Sequence, residues 1–374
     1  MTSRIGAVTM PKWGMTMTEG KVARWLVAPG DSVRTGMAVA EIETTKITNV
    51  LECATAGVLR RQLVGEGASA GIGAVLAIVA APDVTDAEID AFIAEHASAT
   101  DDDPSEMAED PSSQLVLAGV HGLNVLSLGA DTGTPVIFIH GFCGDLNSWI
   151  FNQEPQSKQS PTHALDLPGH GQSSATFGNG SARALSEAVL ALMDALAIAR
   201  AHLVGHSMGG AIALLLGLAK PERVASITCV APGGLGPELN RAFIDGFIAA
   251  NSRRPMQEAL GYLFARPEAV SRMMVEEALK YKRQDGAMEA LSAIAAANFT
   301  PEGQKSGLRE LLPAIKAPVQ IIWGRDDKVI PVAQAGGLPM HIAVTVLEAA
   351  GHMPHMELPG EVNRLIAVFI AQHP

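Results

Sequence analysis

Cysteine, long apolar runs and basic segments are all scarce in this sequence. The 3 cysteines, Cys53, Cys143 and Cys229, lie far apart and none belongs to a C-x-x-C pair. An odd number of widely separated cysteines argues against a disulfide framework and against a zinc site, so we expect no metal. Such a chain suits a reducing compartment, and a cytoplasmic location is expected.

The apolar runs are too short to cross a bilayer, which needs about 18 residues. The longest, "GIGAVLAIVAAP" and "AIALLLGLAKP", are better explained as buried strands or helices. The first residues, "MTSRIGAVTMPKWG", contain no apolar stretch of signal-peptide length, so neither export nor a membrane association is expected.

Charge is unevenly distributed along the chain. Residues 83–113 hold 11 of the 39 acidic residues and no lysine or arginine, so nearly all of the net charge of −12 lies there. No basic stripe is found elsewhere, which argues against a nucleic-acid partner.

Composition and periodicity divide the chain into three regions. Residues 1–81 contain short strand-like segments separated by glycine-bearing turns, which predicts an all-β domain. Residues 82–113 form an acidic linker. In residues 114–374, apolar β-branched runs alternate with helical patterns, which predicts a parallel sheet covered on both faces. The alternation stops at about residues 237–312, which we interpret as an inserted helical cap.

The linker is not uniform. From about residue 98 it contains almost nothing to bury, as is typical of an extended tether. Before that, "TDAE" at residues 85–88 is a capping box, and Ile89, Phe92 and Ile93 share one helical face. A short helix is expected at residues 86–96, packed on a neighbouring domain or left for a partner.

One lysine, Lys46, stands at the hinge of "EIETTKITNV", between two strand-like runs. Most lysines at turns are simply solvated charges. However, "MPKWGMTMTEGKVARWLVAPGDSV" and "VAEIETTKITNVLECATAGVL" resemble the lipoyl domains of 2-oxoacid and acetoin dehydrogenase complexes. The resemblance implies a flattened β-barrel whose exposed Lys46 carries (R)-lipoate in amide linkage, attached by a lipoate ligase or transferase. Thr45 departs from the Asp that commonly precedes this lysine in the family, and Thr45 and Ile47 do not match the methionines of biotin carriers.

The pattern G-x-S-x-G occurs twice, in different contexts. The copy at residues 67–71 lies in a predicted turn of the all-β region, so Ser69 is interpreted as a turn serine. The copy at residues 205–209 follows the apolar strand "AHLVG" and opens the helix "GGAIALLLGLAKP". A strand–turn–helix context exposes the serine at a tight turn, and Ser207 is therefore the candidate nucleophile.

A serine hydroxyl needs an adjacent base that a third group orients. Downstream, "IIWGRDDKVIP" supplies Asp326 and Asp327, and "EAAGHMPHMELP" supplies His352 and His355. This region resembles the α/β-hydrolase superfamily with a helical cap. Matching the superfamily patterns G-x-x-D-x-x-x-P and G-H-x-x-x-x-E-x-P selects Asp327 and His352, with Asp326 as the alternative acid.

The same superfamily supplies an expectation for the oxyanion hole, which needs backbone N–H donors. The segment "FIHGFCGDLNSW" resembles the oxyanion loop, and on that match the donors are the amides of Phe142 and Met208. The other residues near these motifs are interpreted as structural, namely Cys143, His170, His202, His206 and His355.

From end to end, including "APGGLGPELN" after the sixth strand of the last region, the chain resembles the dihydrolipoamide acetyltransferase components of acetoin dehydrogenase complexes. The resemblance implies that a thiamine-diphosphate-dependent acetoin dehydrogenase component acetylates the lipoyl group. Ser207 would then take the acetyl group and pass it to coenzyme A, and a flavin dihydrolipoamide dehydrogenase would reoxidise the dithiol. The H-x-x-x-D-G motif of 2-oxoacid acyltransferases and a recognisable partner-binding domain are both absent, which leaves the helix at residues 86–96 as the candidate docking element.

Two other functions stay open at this point. One is a serine hydrolase or thioesterase in which the lipoyl domain is only a carrier or localiser, and the other is a non-catalytic scaffold. Within the cap, Arg253, Arg254 and "KYKR" at residues 280–283 are candidates for the phosphates of coenzyme A. Acidic and basic residues balance in the cap, however, which favours solvated helix faces.

Overall fold

The computed structural model describes most of the chain, namely residues 5–11, 17, 19–43, 48–97, 112–129, 132–305 and 307–374. The chain forms two compact units, residues 1–110 with 271–274 and residues 111–270 with 275–374. Lys46 and residues 98–111 of the predicted linker lie outside the described residues.

The first unit is built from short strands followed by a helix. Its elements, in chain order, are β1 (Ile5–Thr9), β2 (Glu19–Trp25), β3 (Ser32–Val33), β4 (Ala38–Glu43), β5 (Thr48–Glu52), β6 (Gly57–Gln62), β7 (Ser69–Gly71), β8 (Val75–Ala80) and α1 (Asp86–Ala97). The strands form two four-stranded sheets, in the orders β1-β8-β6-β3 and β5-β4-β2-β7. The predicted all-β fold is confirmed.

Side chains of both sheets form one apolar core. Val22 and Ile42 come from one sheet, Leu59 and Leu76 come from the other, and all four are fully buried. Burying a side chain of this size contributes about 1.5–3 kcal/mol, so the pairing of the two sheets is what stabilises so small a unit.

The interpretation of Ser69 as a turn residue is wrong. Ser69 begins β7, which pairs antiparallel with residues 19–21 of β2. The segment "SAG" has no alternation of apolar and polar residues, so its strand conformation comes from the neighbouring strand and not from its own pattern.

Helix α1 packs on the first sheet. Ile89 is buried among Ile78 and Ala80 of β8, and the capping box forms as expected, with the Thr85 amide donating to Glu88 Oε2 at 2.8 Å. The predicted helix is confirmed, and of its two interpretations the packed one is observed. Its apolar face is covered by its own domain.

The second unit contains an eight-stranded sheet, a separate two-stranded sheet and helices. Its strands are β9 (Gln114–Ala118), β10 (His121–Leu128), β11 (Val136–Ile139), β12 (Thr162–Leu165), β13 (Ala201–His206), β14 (Val224–Val230), β15 (Phe299–Thr300), β16 (Gly303–Gln304), β17 (Val319–Gly324) and β18 (Ala343–Leu347). The helices are α2 (Gln153–Ser157), α3 (Ala182–Ala195), α4 (Met208–Ala219), α5 (Arg241–Ala249), α6 (Arg253–Leu260), α7 (Arg272–Tyr281), α8 (Ala287–Asn298), α9 (Pro354–Glu357) and α10 (Pro359–Ala371). Short 3-10 helices occur at Leu146–Trp149, Pro221–Arg223, Gly261–Leu263, Pro267–Ala269, Arg309–Ala314 and Val332–Ala335.

The large sheet has the order β18-β17-β14-β13-β11-β12-β10-β9. Strands β11 to β14, β17 and β18 pair in parallel, whereas β9 and β10 form an antiparallel hairpin at one edge. On one face Val204 and Val230 pack with Val362 and Ile366 of α10. Ile227 points to the other face, towards α4. The predicted parallel sheet with helices on both faces is confirmed.

A helical cap is inserted between β14 and β17. It contains α5 to α8 and the two-residue strands β15 and β16, which pair with each other. Because β14 and β17 are hydrogen-bonded neighbours, the insertion leaves the sheet intact. The cap can therefore cover the carboxyl ends of the strands, where α/β folds place their ligands.

Candidate active site

Ser207 occupies a sharp turn between β13 and α4. Its φ of 53° and ψ of −115° lie outside the regions that ordinary side chains prefer, at a cost of about 1–3 kcal/mol. Backbone hydrogen bonds to distant parts of the chain hold it there: the Ser207 amide donates to Val230 O, and the Gly233 amide donates to Ser207 O, both at 2.9 Å. The side chain is thereby turned out of the strand, and Ser207 lines a cavity.

The glycines on either side of Ser207 are required by close backbone approaches. A Cβ on Gly205 would lie 2.3 Å from Gly209 O, and a Cβ on Gly209 would lie 2.2 Å from Ile139 O. Main-chain atoms cannot move aside as a flexible side chain can, so helix α4 can begin this close to the sheet only without those side chains.

Gly209→Ala is expected to lower the melting temperature of the protein by about 2–12 °C, since overpacking a site of this kind costs roughly 1–3 kcal/mol and each kcal/mol shifts the melting temperature of a domain of this size by about 2–4 °C. Differential scanning calorimetry measures the shift. Gly246→Ala on α5 is the matched control, because its Cβ would meet Ala259 Cβ at an ordinary 3.5 Å. A melting temperature for Gly209→Ala equal to that of the control would show that the turn tolerates a side chain.

Asp327 and His352 are brought together by the loops after β17 and β18. His352 Nδ1 lies 2.8 Å from Asp327 Oδ2, and both side chains are buried. The other oxygen of Asp327 accepts the amides of Val329 and Ile330 at 2.8 and 2.9 Å. Asp326, the alternative acid, is exposed. The geometry therefore pairs His352 with Asp327 and fixes the orientation of the imidazole.

The His352 ring lies next to the turn that carries Ser207. His206, the residue before Ser207, has its Nε2 2.9 Å from His352 O, and the two rings are 4.8 Å apart. Among the described hydrogen bonds, none joins the Ser207 hydroxyl to the His352 ring. In enzymes of this kind such a bond often tightens only when substrate is bound, so the arrangement suits a nucleophile and a base.

The two candidate oxyanion donors also lie at this site. Phe142 and Met208 both line the cavity beside Ser207. Met208 is the first residue of α4, and an amide at this position has no partner within its own helix. In the described part of the chain, no acceptor takes the Phe142 amide. Both amides are thus available to a developing oxyanion.

The oxyanion loop is held from below by a buried acid. Asp166 accepts the amides of Leu146 and Gln172 at 2.7 and 2.8 Å and the side-chain amide of Asn124 at 2.8 Å. Burial, with the nearby charge of Asp145, raises the pKa of Asp166 to about 6. Sequence reasoning missed this residue, because nothing in its local pattern indicates what it supports.

The cavity above Ser207 has a volume of about 150 Å³. Its walls are mainly apolar and include Phe243 and Ile244 from the cap. Phe299 of the cap packs edge-on against Phe142, with ring centroids 5.5 Å apart. A space of this size, closed on one side by the cap, suits a small acyl group.

The other histidines that the sequence analysis interpreted as structural are buried and held neutral. Burial lowers the pKa of His170 and His355 to about 3 and, with the charges of His355 and His352, lowers the pKa of His206 well below its ordinary value. Burial also lowers the pKa of His202 to about 4. A group that stays neutral and packed at pH 7 is a poor proton carrier, which supports the structural interpretation of all four.

The surroundings of Cys143 and of the basic cap residues favour structural roles over catalysis or phosphate binding. Burial raises the pKa of the Cys143 thiol far above its usual range, which argues against an activated thiolate. Arg253 pairs with Glu276, Arg254 with Glu258 and Lys280 with Glu277, while Lys282 Nζ donates to backbone carbonyls of Phe247, Ile248 and Ala250. These partners favour paired helix faces over a phosphate site.

The candidate lipoyl attachment residue, Lys46, lies outside the described residues. On either side of it, β4 and β5 pair antiparallel, with Glu43 opposite Thr48. The chain therefore enters and leaves residues 44–47 at neighbouring positions, which suits a lysine that a ligase has to reach.

The described residues offer neither a metal site nor a membrane-spanning helix. In the described ranges, no cluster of three or more histidine, cysteine or carboxylate side chains could hold a metal ion. Of the helices that the structure describes, none combines the length and apolar content that crossing a bilayer requires.

Comparison with known proteins gives matches for both units and for the whole chain. A family model described as the alpha/beta hydrolase fold matches residues 134–359, and one described as biotin-requiring enzyme matches residues 6–79. The meta-cleavage product hydrolase from Pseudomonas fluorescens has a similar fold, with a TM-score of 0.63 and 24% identity over 70% of this chain and 98% of that one.

Two curated relatives match almost the full length. The dihydrolipoyllysine-residue acetyltransferase component of the acetoin cleaving system of Pseudomonas putida is 40% identical over 99% of this chain and 100% of that protein. The component of the same name from Cupriavidus necator is 38% identical over 96% of each chain. The chain therefore belongs to the α/β-hydrolase fold family and, within it, to the lipoyl-bearing dihydrolipoyllysine-residue acetyltransferase components of acetoin cleaving systems.

Proposed function

We propose that this protein transfers an acetyl group from a lipoyl-lysine thioester to coenzyme A through an acetyl-serine intermediate. One observation carries the proposal: a lipoyl-type unit and a turn-exposed serine, with a histidine held by Asp327, occur in the same chain. The family relationship over nearly the full length supports the same reaction.

Lipoate, linked to Lys46, would supply the thioester sulfur that delivers the acetyl group. The hairpin register around residues 44–47 fits that attachment. We assign Lys46 this role and propose the acidic linker, residues 82–113, as the tether that lets the lipoyl domain reach Ser207. Helix α1, in the first part of that linker, packs on the lipoyl domain.

In the first half of the reaction, Ser207 Oγ attacks the carbonyl carbon of the acetyl thioester. His352 takes the hydroxyl proton, and the amides of Phe142 and Met208 stabilise the oxyanion. The carbon–sulfur bond then breaks, and His352 returns the proton to the departing thiol. Asp327 keeps the proton of His352 on Nδ1, which leaves Nε2 free to act as the base.

In the second half, the thiol of coenzyme A gives its proton to His352 and attacks the acetyl-serine. The ester bond to Ser207 breaks, and the proton passes to the serine oxygen. Exchange of one thioester for another is nearly isoenergetic, so the main task of the site is to exclude water from the acetyl-serine. The cap, with Phe243, Ile244 and Phe299 on the cavity wall, is proposed to do this.

The partners follow from the same proposal. A thiamine-diphosphate-dependent acetoin dehydrogenase component would load the acetyl group, a flavin dihydrolipoamide dehydrogenase would reoxidise the dithiol, and a lipoate ligase or transferase would modify Lys46. These partners imply the cytoplasmic location expected above. Because the apolar face of α1 is covered by its own domain, we do not assign α1 a docking role.

Lys46→Arg is expected to abolish acetyl-coenzyme A formation, because arginine keeps the charge but cannot be lipoylated and therefore cannot be loaded with the acetyl group. The intact mass of wild type, produced in lipoate-competent cells, should exceed that of the unmodified chain by one lipoyl group, and the variant should lack the increment. Lys21→Arg, at an exposed lysine paired with Glu43 on the same sheet, is the control and should keep both.

The products of the loaded wild-type protein separate transfer from the thioesterase alternative. Acetyl-coenzyme A as the main product supports transfer. Free acetate as the only product would contradict transfer and would favour hydrolysis. A loaded protein that forms neither acetyl-coenzyme A nor acetate would favour the non-catalytic scaffold.

A further inference from the structure

A short segment of the cap, residues 263–265, contacts the loops of both Asp327 and His352. The Met353 amide donates to Leu263 O at 3.1 Å, directly after His352. Lys328 Nζ, directly after Asp327, donates to Ala265 O at 2.8 Å. The cap is therefore hydrogen-bonded to Met353 and Lys328, the residues that directly follow His352 and Asp327 in the chain.

Glu357 joins the same two parts through one carboxylate. Its Oε1 accepts the amide of Gly351, the residue before His352, at 2.6 Å, and its Oε2 accepts the amide of Ala265 at 2.8 Å. The backbones are so close here that a Cβ on Gly351 would lie 2.5 Å from the Ala265 nitrogen. A carboxylate can accept two such bonds at once, and no neutral side chain of the same size has two acceptors in this geometry.

We propose that Glu357 is a positioning residue that docks cap segment 263–265 onto the His352 loop, so that exclusion of water by the cap and alignment of the base occur together. The inference rests on the proposed function, since it concerns the choice between coenzyme A and water at the acetyl-serine. When Glu357 loses an acceptor, one buried amide loses its partner and the cap separates from the histidine loop. Water then reaches the acetyl-serine, and the base is less well oriented for either thiol.

The ionisation of Glu357 supports a pH dependence of this contact. Burial raises its pKa to about 7, opposed by the amides of Ala265 and Gly351 and by the charge of Arg266, and assisted by the charge of Asp327. Lys328 faces the same junction, where its Nζ donates to Ala265 O. The ionised carboxylate accepts both amides, whereas the protonated acid carries a hydrogen on one oxygen. The contact is therefore weaker below about pH 7 and stronger above it.

The test uses the full-length, lipoylated and acetylated protein with coenzyme A, and measures acetyl-coenzyme A and acetate between pH 6 and pH 8.5. Glu357→Gln places an NH₂ group against one of the two amide donors. The protonated acid likewise places an O–H there. At pH 8 it is expected to raise the ratio of acetate to acetyl-coenzyme A about tenfold, the usual scale for one buried donor left without a partner. Its kcat should fall while the KM for coenzyme A changes little. In wild type the ratio should rise as the pH falls through about 7, and in the variant it should stay high at every pH.

Glu361→Gln is the matched control, because Glu361 is a surface residue of α10 paired with Arg364 and should keep the wild-type profile. Lys328→Met loosens the same cap segment from the other loop, should raise the ratio in the same direction, and decides the question if Glu357→Gln does not fold. A wild-type ratio and pH profile in the folded variants would overturn the inference. Absence of acetyl-coenzyme A from wild type would instead overturn the proposed function.

Discussion

Ser207→Ala is expected to lower the rate of acetyl transfer by at least about 10⁴-fold, since removing the nucleophile of a serine triad leaves only binding and the oxyanion hole. The protein should fold normally, because alanine is a smaller side chain at a position that backbone bonds to Val230 and Gly233 already hold. Acetyl-coenzyme A formed by the loaded protein in a single turnover is the measurement, and mass spectrometry of a short reaction should find the acetyl group on Ser207 in wild type only.

Ser69→Ala is the control for this experiment. Ser69 is the central serine of the other G-x-S-x-G pattern, but it lies exposed in strand β7, so its loss should leave transfer unchanged. If transfer persisted in Ser207→Ala, the acetyl group would be passing directly between the two thiols, and the covalent route would be refuted.

Asp327→Asn is the second change with a large expected effect, a fall in kcat of about 10³–10⁴-fold with intact folding. Asp327 Oδ2 faces two donors, His352 Nδ1 and Trp323 Nε1 at 2.8 and 2.9 Å, and Oδ1 faces the amides of Val329 and Ile330. Asparagine replaces one of these two oxygens by an NH₂ group. In either orientation of the side-chain amide, that NH₂ group faces hydrogen-bond donors that the carboxylate oxygen had accepted. If the NH₂ faces His352, the ring must carry its proton on Nε2 and can no longer accept the proton of Ser207.

Asp326→Asn is the natural control, since Asp326 is the adjacent carboxylate and is exposed. Its kcat should stay within about twofold of wild type, because an exposed charge beside a buried pair is screened by solvent. A large loss in Asp326→Asn with little loss in Asp327→Asn would reverse the assignment of the acid. Steady-state rates of acetyl-coenzyme A formation over pH 6–9 measure both variants.

Local backbone requirements are what made the site predictable. Gly205 and Gly209 are required because main-chain atoms lie 2.2–2.3 Å from where their Cβ would be, and a requirement of that kind appears in the sequence as a short fixed pattern. The choice of Asp327 over Asp326 also depended on spacing from a glycine and a proline, and the buried pair with His352 agrees with it.

Other features could not be predicted, because their causes lie in distant parts of the chain. Strand β7 exists through its pairing with β2, although "SAG" has no strand pattern of its own. Asp166 supports the oxyanion loop from another strand end, and Glu357 meets Ala265, which is 92 positions earlier. The glutamate of the G-H-x-x-x-x-E-x-P pattern is a signal in the sequence for this contact, but the pattern does not say which distant group the glutamate meets.

The sequence by itself determined the two-part architecture, the family, and the identities of Ser207, Asp327 and His352 as candidates. Each of these depends on residues that are close together along the chain, where periodicity, glycine and spacing act directly on the backbone. Only the tertiary structure decided that the apolar face of α1 is covered, that Arg253, Arg254 and Lys280 of the cap are paired with glutamates, and that Glu357 links the cap to the histidine loop. Those outcomes depend on contacts between residues that are far apart along the chain. Only folding brings such residues together, and burial and hydrogen bonding then determine which contacts form.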